Sequence, residues 1–261
     1  MIGAGRLSTQ LAQALARKGR HRIVTVYSRT LESAQALAQK VDCEATNDIF
    51  SLPLDADAFI IAVKDDALPT LAEQLSRHLA LSGHAGSSHA CPVFHTAGSI
   101  AMDVLAPLPL HGVIYPMQTF SKERTVDFSD TPVFIEANDG EALSVAHAIA
   151  SSVSGHVECL DSQRRSQLHL AAVFACNFAN HCYTLAADIL QRNGLDFSVM
   201  LPLINETASK VTAMPPHEAQ TGPAVRYDTN VIERQRQMLA GTPLTQQIYQ
   251  LMSESIHRHS L

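Results

Sequence analysis

The strictest geometric demand in this chain falls near its start, in Gly3-Ala4-Gly5-Arg6-Leu7-Ser8. Two glycines one residue apart and a small residue three further on are followed by Leu7, Leu11 and Leu15 at helical spacing. Together they specify a strand that turns sharply into an amphipathic helix, with Gly19 as its expected stop. Gly3 suits a tight turn, Gly5 leaves room for close approach of a ligand to the backbone, and a small Ser8 lets the helix sit near a sheet. A helix opening at such a turn presents free N–H groups, a ready site for a pyrophosphate.

The next 150 residues repeat one grammar. Ile23 to Tyr27 reads as a strand and Leu31 to Val41 as a helix with apolar Leu31, Ala34, Leu37 and Ala38. Asp57 to Val63 is a near-continuous apolar strand, the pattern of one covered on both faces. Asp65-Asp66 opens a helix through His78, with acid at its positive end. Strands are expected at His89 to Phe94, Gly112 to Tyr115, Pro132 to Glu136 and His156 to Leu160, with Gly83 to Ser88 as a loop. Strand–helix alternation with short connections predicts an α/β fold, a Rossmann-type doubly wound parallel sheet, over residues 1–160. From 161 to 261 the pattern is all helical. A long helix from Ser162 to Arg192 ends at Asn193-Gly194, and further helices are expected at Ser198 to Val211, Thr229 to Leu239 and Pro243 to His257. The long helix is apolar around a wide face, so it needs cover from more than one partner, and a homodimer through the helical domain is expected.

With 261 residues the chain can bury a core in each half. Lys and Arg total 19 against 25 Asp and Glu, a net charge of −6, which argues against a nucleic-acid partner. No apolar run reaches the length of a membrane span and no secretory pattern opens the chain. Five cysteines without C-x-x-C spacing suggest neither a disulfide framework nor a zinc site, so a cytoplasmic location and no metal are expected.

The end of the second strand selects the cofactor. An acid there would hold the ribose 2′-OH of NAD, but the residues are Tyr27-Ser28-Arg29-Thr30. The hydroxyls of Ser28 and Thr30 and the Arg29 guanidinium suit a 2′-phosphate, so NADP is the expected cofactor. The plainer alternative is Arg29 as a solvated residue at a helix start.

At this point the turn, the Tyr27-to-Thr30 end, Ile60-Ile61-Ala62-Val63-Lys64 and the helical second half resemble the pyrroline-5-carboxylate reductase and hydroxyacid dehydrogenase superfamily. His95-Thr96-Ala97-Gly98-Ser99, Tyr115-Pro116-Met117-Gln118-Thr119-Phe120 and Thr221-Gly222-Pro223-Ala224-Val225-Arg226-Tyr227-Asp228 resemble one branch of it more closely. This is the Rossmann-like family with a DUF2520 domain, described as NADP oxidoreductases. The resemblance covers essentially the whole chain. It implies an NADP-binding domain with contacts at Gly3, Gly5, Arg6, Leu7, Ser28, Arg29, Thr30, Val63 and Lys64, a helical dimerisation domain, and an active site between the two. It supplies no substrate.

The chemistry expected is hydride transfer between NADP(H) and a small polar metabolite, an imine, keto or hydroxy acid. His95, at a strand end, could exchange the accompanying proton; the alternative is a histidine bonded to backbone. Thr96 and Ser99 could bind substrate. Residues 169, 173, 177, 180 and 181 share a face of the long helix, on which Asn177 and His181 could bind substrate or form a satisfied buried pair. Hydroxyacid dehydrogenases carry a lysine general acid and an asparagine on the helix that this one resembles; here Val173 occupies the preceding turn, and no lysine lies between Lys122 and Lys210. Arg226 could clamp a substrate carboxylate with Asp228 orienting it, or the two could form a structural ion pair. Tyr115 and Gln118 could line the cleft while Phe120 packs. A non-catalytic NADP-binding dimeric sensor or regulator is the competing class. Finally, only Met1 and Ile2 precede the glycine turn, so most of a first strand is absent, and further apolar residues are expected upstream of Met1.

Overall fold

The computed structural model describes residues 1–17, 21–80, 91–121 and 124–260. Gly19, the loop Gly83 to Ser88, residues His89 and Ala90, and Lys122 lie outside the described residues. Two compact units emerge, Met1–Cys176 and Asn177–Leu261.

The first unit is the expected α/β layer structure. Among the described residues, seven strands occur in chain order: β1 (Thr25–Tyr27), β2 (Glu44–Thr46), β3 (Phe59–Ile61), β4 (Val93–His95), β5 (His111–Pro116), β6 (Val133–Ala137) and β7 (Val157–Cys159). Five helices accompany them: α1 (Arg6–Arg17), α2 (Leu31–Val41), α3 (Leu68–Ala80), α4 (Gly140–Val153) and α5 (Ser162–Ala172). β1 pairs with β2, and β3 to β7 form a ladder in sequence order. Ile2 joins the two pieces by parallel bridges to Tyr27 and Ile61, so the central strand position is occupied by this single buried residue. The Met1 ammonium donates to the Thr25 carbonyl at 2.8 Å, and burial pushes its pKa down to about 6. Beside it lies a cavity of about 500 Å³ lined by Met1, Leu15, Ile23, Phe59, Ile60 and Ile149 among others.

Three features differ from the pattern read in the sequence. Strand β6 runs antiparallel to β5, Gly112 facing Ala137 and Pro116 facing Val133, in a sheet otherwise parallel. The connection between them, residues 117–132, holds no described helix that could carry a right-handed crossover, so the chain returns alongside itself. Helix α4 and strand β2 were not anticipated; α4 has its Asp139 cap bonded to the Glu141 N–H at 2.7 Å and buries Ala142, Ala146, Ile149 and Ala150. Asp65–Ala67 is a 3-10 turn, and the helix proper begins at Leu68. Two apolar layers enclose the sheet. One combines Leu11 and Leu15 of α1 with Phe94, Ile114, Ile135 and α4; the other combines Ile2, Phe59 and Ile61 with Leu68, Leu71 and Leu75 of α3.

After α5 the helical run passes through a π-helical segment, Val173–Phe178, into α6 (Ala179–Arg192), a break the uniform pattern of Ser162 to Arg192 did not reveal. The second unit continues with α7 (Leu201–Ala213), α8 (Pro216–Ala219), α9 (Thr229–Met238) and α10 (Pro243–His259). Gly194, at φ 70°, ends α6 where Asn193-Gly194 predicted a stop. Helices α9 and α10 are tied by the Tyr249 hydroxyl donating to Gln235 Oε1 at 2.7 Å and by Gln246 Nε2 donating to the Arg236 carbonyl at 2.8 Å. Leu195, Val199, Leu203, Met238, Leu244 and Leu251 are each more than half exposed. Among the described residues, no helix is long and apolar enough to cross a membrane.

Candidate active site

Two places at the carboxyl end of the sheet gather the residues singled out above. The first is the glycine turn. Ile2 lies between β1 and β3, so the Gly3 N–H donates to the Tyr27 carbonyl and the Ala62 N–H to the Ile2 carbonyl, at 2.8 and 2.7 Å. Gly3 adopts φ +112°, and a Cβ there would collide with the Ala62 carbonyl. Gly5 is exposed, and the space a Cβ would fill beside it is open. The Ser8 hydroxyl donates to the Gly3 carbonyl, bracing the turn against α1. Arg6 opens α1, Arg29 follows β1 and Lys64 follows β3; all three are exposed. No acid occupies the first turn of α1. Ser28 is held through its N–H to the Thr46 carbonyl at 3.1 Å, Thr30 precedes α2 with its hydroxyl 2.8 Å from Ser33 Oγ, and Leu7 and Val63 are half-buried. Open backbone N–H groups, uncrowded space and three cations are what a dinucleotide phosphate requires.

The second place lies beyond β4 and β5. His95, expected as a proton donor, is fully buried. Its Nδ1 accepts from the Ala97 N–H at 3.1 Å, and Nε2 faces the Ala101 carbonyl without meeting hydrogen-bond geometry with any described residue. Burial first, then the positive charge of Arg165, push its pKa down to about 4, so it stays neutral and sealed away from a substrate. Thr96 is buried too, with its hydroxyl turned to the Ile61 carbonyl at 3.4 Å. Ser99 is exposed and donates to Asp65 Oδ2 at 2.7 Å. Gln118 is exposed, and Phe120 stacks on Phe128 at 5.6 Å.

Residues not anticipated carry the interior of this region. Arg165, fully buried on α5, is paired with Glu136 of β6 and donates to the Ile100 carbonyl at 2.6 Å and to Ser162 Oγ at 3.1 Å. Ser162 in turn donates its hydroxyl to Glu136 Oε2 at 2.7 Å and accepts from the Met102 N–H at 2.8 Å. One helical turn beyond Arg165, His169 Nδ1 lies 3.1 Å from the Tyr115 hydroxyl, with the rings edge-to-face. Gly98 packs against both: a Cβ there would come within 2.5 Å of His169 Nδ1 and 3.0 Å of Tyr115 Cε2. The face of residues 169, 173 and 177 contained the signal, since one turn back along it stands Arg165.

In the second unit, Asn177, His181 and Arg226 are exposed. Asp228 does not pair with Arg226; it caps α9, accepting from the Val231 N–H at 3.3 Å. The loop before it is held by Tyr227, at φ 50°, stacked on His257 with ring centroids 4.2 Å apart. Among the described residues no cluster of His, Cys, Asp or Glu could hold a metal ion.

Comparison with known proteins places these features in a family. Residues 1–84 match the model described as NADP oxidoreductase coenzyme F420-dependent, and residues 131–256 match a domain of unknown function, DUF2520. No curated protein matches the chain. Among solved structures, a Bacteroides fragilis protein described provisionally as an NADP oxidoreductase is 52% identical, with 98% of this chain and 96% of that one aligned at a TM-score of 0.89. Two more distant structures share the fold. An imine reductase from Myxococcus stipitatus in complex with NADP+ is 15% identical over 98% of this chain and 92% of its own, at TM-score 0.67. A pyrroline-5-carboxylate reductase from Coxiella burnetii is 16% identical over 99% and 95%, at TM-score 0.59. The chain therefore belongs to the family of NADP oxidoreductases whose second half is the DUF2520 domain.

Proposed function

We propose that the chain is an NADPH-dependent reductase that delivers hydride to the carbon of a C=N or C=O group in a small polar metabolite. The observation that carries this reading is the glycine turn. It joins an open Gly5 and the free N-terminus of α1 to three exposed cations, Arg6, Arg29 and Lys64, with no acid at positions 28–30. Gly3, Gly5, Arg6 and Leu7 would hold the pyrophosphate; Ser28, Arg29 and Thr30 the 2′-phosphate; Val63 and Lys64 the adjoining ribose. When bound, NADPH supplies the hydride. The protein contributes orientation, with the edge of β4 and β5 beside the reacting carbon, as ligands of open α/β sheets sit beyond the carboxyl ends of strands. Thr96 has its hydroxyl on backbone and shapes the loop. Ser99 and Asp65 form a polar pair on the loops that follow β4 and β3; Asn177, His181 and Arg226, the expected substrate contacts of the second unit, are exposed.

A second copy of the chain is part of the same reading, because exposed Leu195, Val199, Leu203, Met238, Leu244 and Leu251 leave the second unit short of cover. Light scattering should give a particle of twice the 28.3 kDa chain mass. The function is tested by titrating NADPH and NADH and by following NADPH oxidation with 2-keto acids and cyclic imines. Preference for NADPH with turnover supports it. Tight binding with no turnover would instead make the chain a sensor or regulator.

A further inference from the structure

Hydride addition to C=N or C=O leaves an electron pair on the heteroatom, and something must protonate it. His95 is sealed and neutral, so the acid lies elsewhere. Among the described residues at the same sheet edge, Tyr115 is the penultimate residue of β5, buried except for 7% of its surface, with its hydroxyl 3.1 Å from His169 Nδ1. Two features fix this pair. The loop at Gly98 packs against both rings, leaving no room for a Cβ. Below them the buried Arg165 is clamped by Glu136, Ser162 and the Ile100 carbonyl, which fixes the turn of α5 from which His169 projects. His169 itself is half-buried, which leaves the imidazole a route to solvent that His95 lacks.

We propose that Tyr115 is the acid of the reaction and that His169 positions its hydroxyl and resupplies its proton; this rests on the reductase reading above. The hydride pair forms the new C–H bond as the π pair of the C=N or C=O group moves to the heteroatom. That pair takes the Tyr115 hydroxyl proton, so the O–H bond breaks and its electrons stay on the phenolate. As the His169 Nδ1 proton passes to the phenolate, Nε2 takes one solvent proton, so the imidazole stays neutral and one proton is consumed for each hydride delivered. NADPH is the reductant and leaves as NADP+, so atoms and charge balance. Burial favours the protonated phenol at rest, whereas the charge of Arg165 favours the phenolate, which suits a group that must give up its proton and regain it. The charged and titratable groups around the pair are Arg165 with its Glu136 partner, His95 with His111 near it, and Asp65 held by Ser99.

The test compares substrates that need a proton with one that does not. Full-length wild type, Tyr115→Phe, His169→Ala and His169→Asn are assayed with NADPH against 2-methyl-1-pyrroline, a panel of 2-keto acids, and the N-methylated pyrrolinium cation, which becomes a neutral amine on hydride addition alone. Tyr115→Phe should lower kcat about a hundredfold on the panel members wild type reduces and less than threefold on the N-methylated cation. NADPH affinity should stay unchanged, and the variant should remain folded at the assay temperature. His169→Asn, which keeps an N–H donor but cannot relay a proton, should retain more activity than His169→Ala and should flatten the kcat–pH profile. A wild type that binds NADPH but oxidises it with no panel member overturns the reductase reading and the role of the pair with it. Wild-type turnover that survives Tyr115→Phe, or that falls equally on the cation, overturns the proton role alone.

Discussion

The two ends of the sheet's carboxyl edge are built by different means. At the glycine turn, position is set by backbone: Gly3, Tyr27, Ile2 and Ala62 are locked by main-chain hydrogen bonds, and the side chains that would face a cofactor stand free in solvent. Beyond β4 and β5, position is set by side chains: Arg165, Glu136, Ser162, His169 and Tyr115 come from three elements and are held by one another. A backbone site tolerates changes in its exposed side chains but not in its glycines. A side-chain network fails when any buried member loses its partner.

The largest effect should follow from breaking that network. Arg165→Leu leaves Glu136 without its buried partner and should cost about 3–5 kcal/mol in urea unfolding. Retained stability would mean the network is incidental to the fold. Gly3→Ala tests the other end, where backbone strain and the clash with Ala62 should together cost about 2–4 kcal/mol and abolish NADPH binding. Normal binding by that variant would show the turn is not the cofactor seat.

Acid should separate the ends through His95. Its folded pKa of about 4 lies below the 6.5 of an unfolded histidine, so the folded state resists protonation. Its contribution is complete above pH 6.5 and is lost as pH falls toward 4, by up to about 3 kcal/mol. His95→Gln should remove that part of the acid sensitivity; an unchanged stability–pH curve would refute the assignment. The smallest effect belongs to the exposed cation. Arg29→Ala should weaken NADPH about tenfold, roughly 1.4 kcal/mol, and leave NADH unaffected. Equal loss for both cofactors would remove Arg29 from the 2′-phosphate.

The same contrast explains what could be read before any coordinates. Gly3 and Gly5, the apolar spacing of α1 and α2, and the missing acid after β1 are local signals, and each refers to a neighbour within a few residues. The antiparallel β6 is not local, because nothing in Val133–Ala137 encodes the direction of its partner. Arg165 is harder still. An arginine opening an exposed-looking helix gives no sign that Glu136 and the Ile100 carbonyl await it, 29 and 65 residues upstream. His95 was singled out because histidines carry protons, but burial is a property of the assembled fold, and it is burial that silences this one. Tyr115 and His169 were each visible on their own elements; their pairing was not.

Those sequence separations also bear on how the molecule assembles. The turn around Gly3 needs only the first 62 or so residues to close its hydrogen bonds, whereas Arg165 must wait for β6 to return antiparallel and for α5 to follow it. Loop-closure entropy makes contacts of that range late ones. The amides of the loop around Ser99 and Met102 should therefore exchange with deuterium together with those of α5, as one cooperative unit that opens before the central strands do. Transient loss of that unit would leave a molecule able to hold a cofactor and unable to protonate anything.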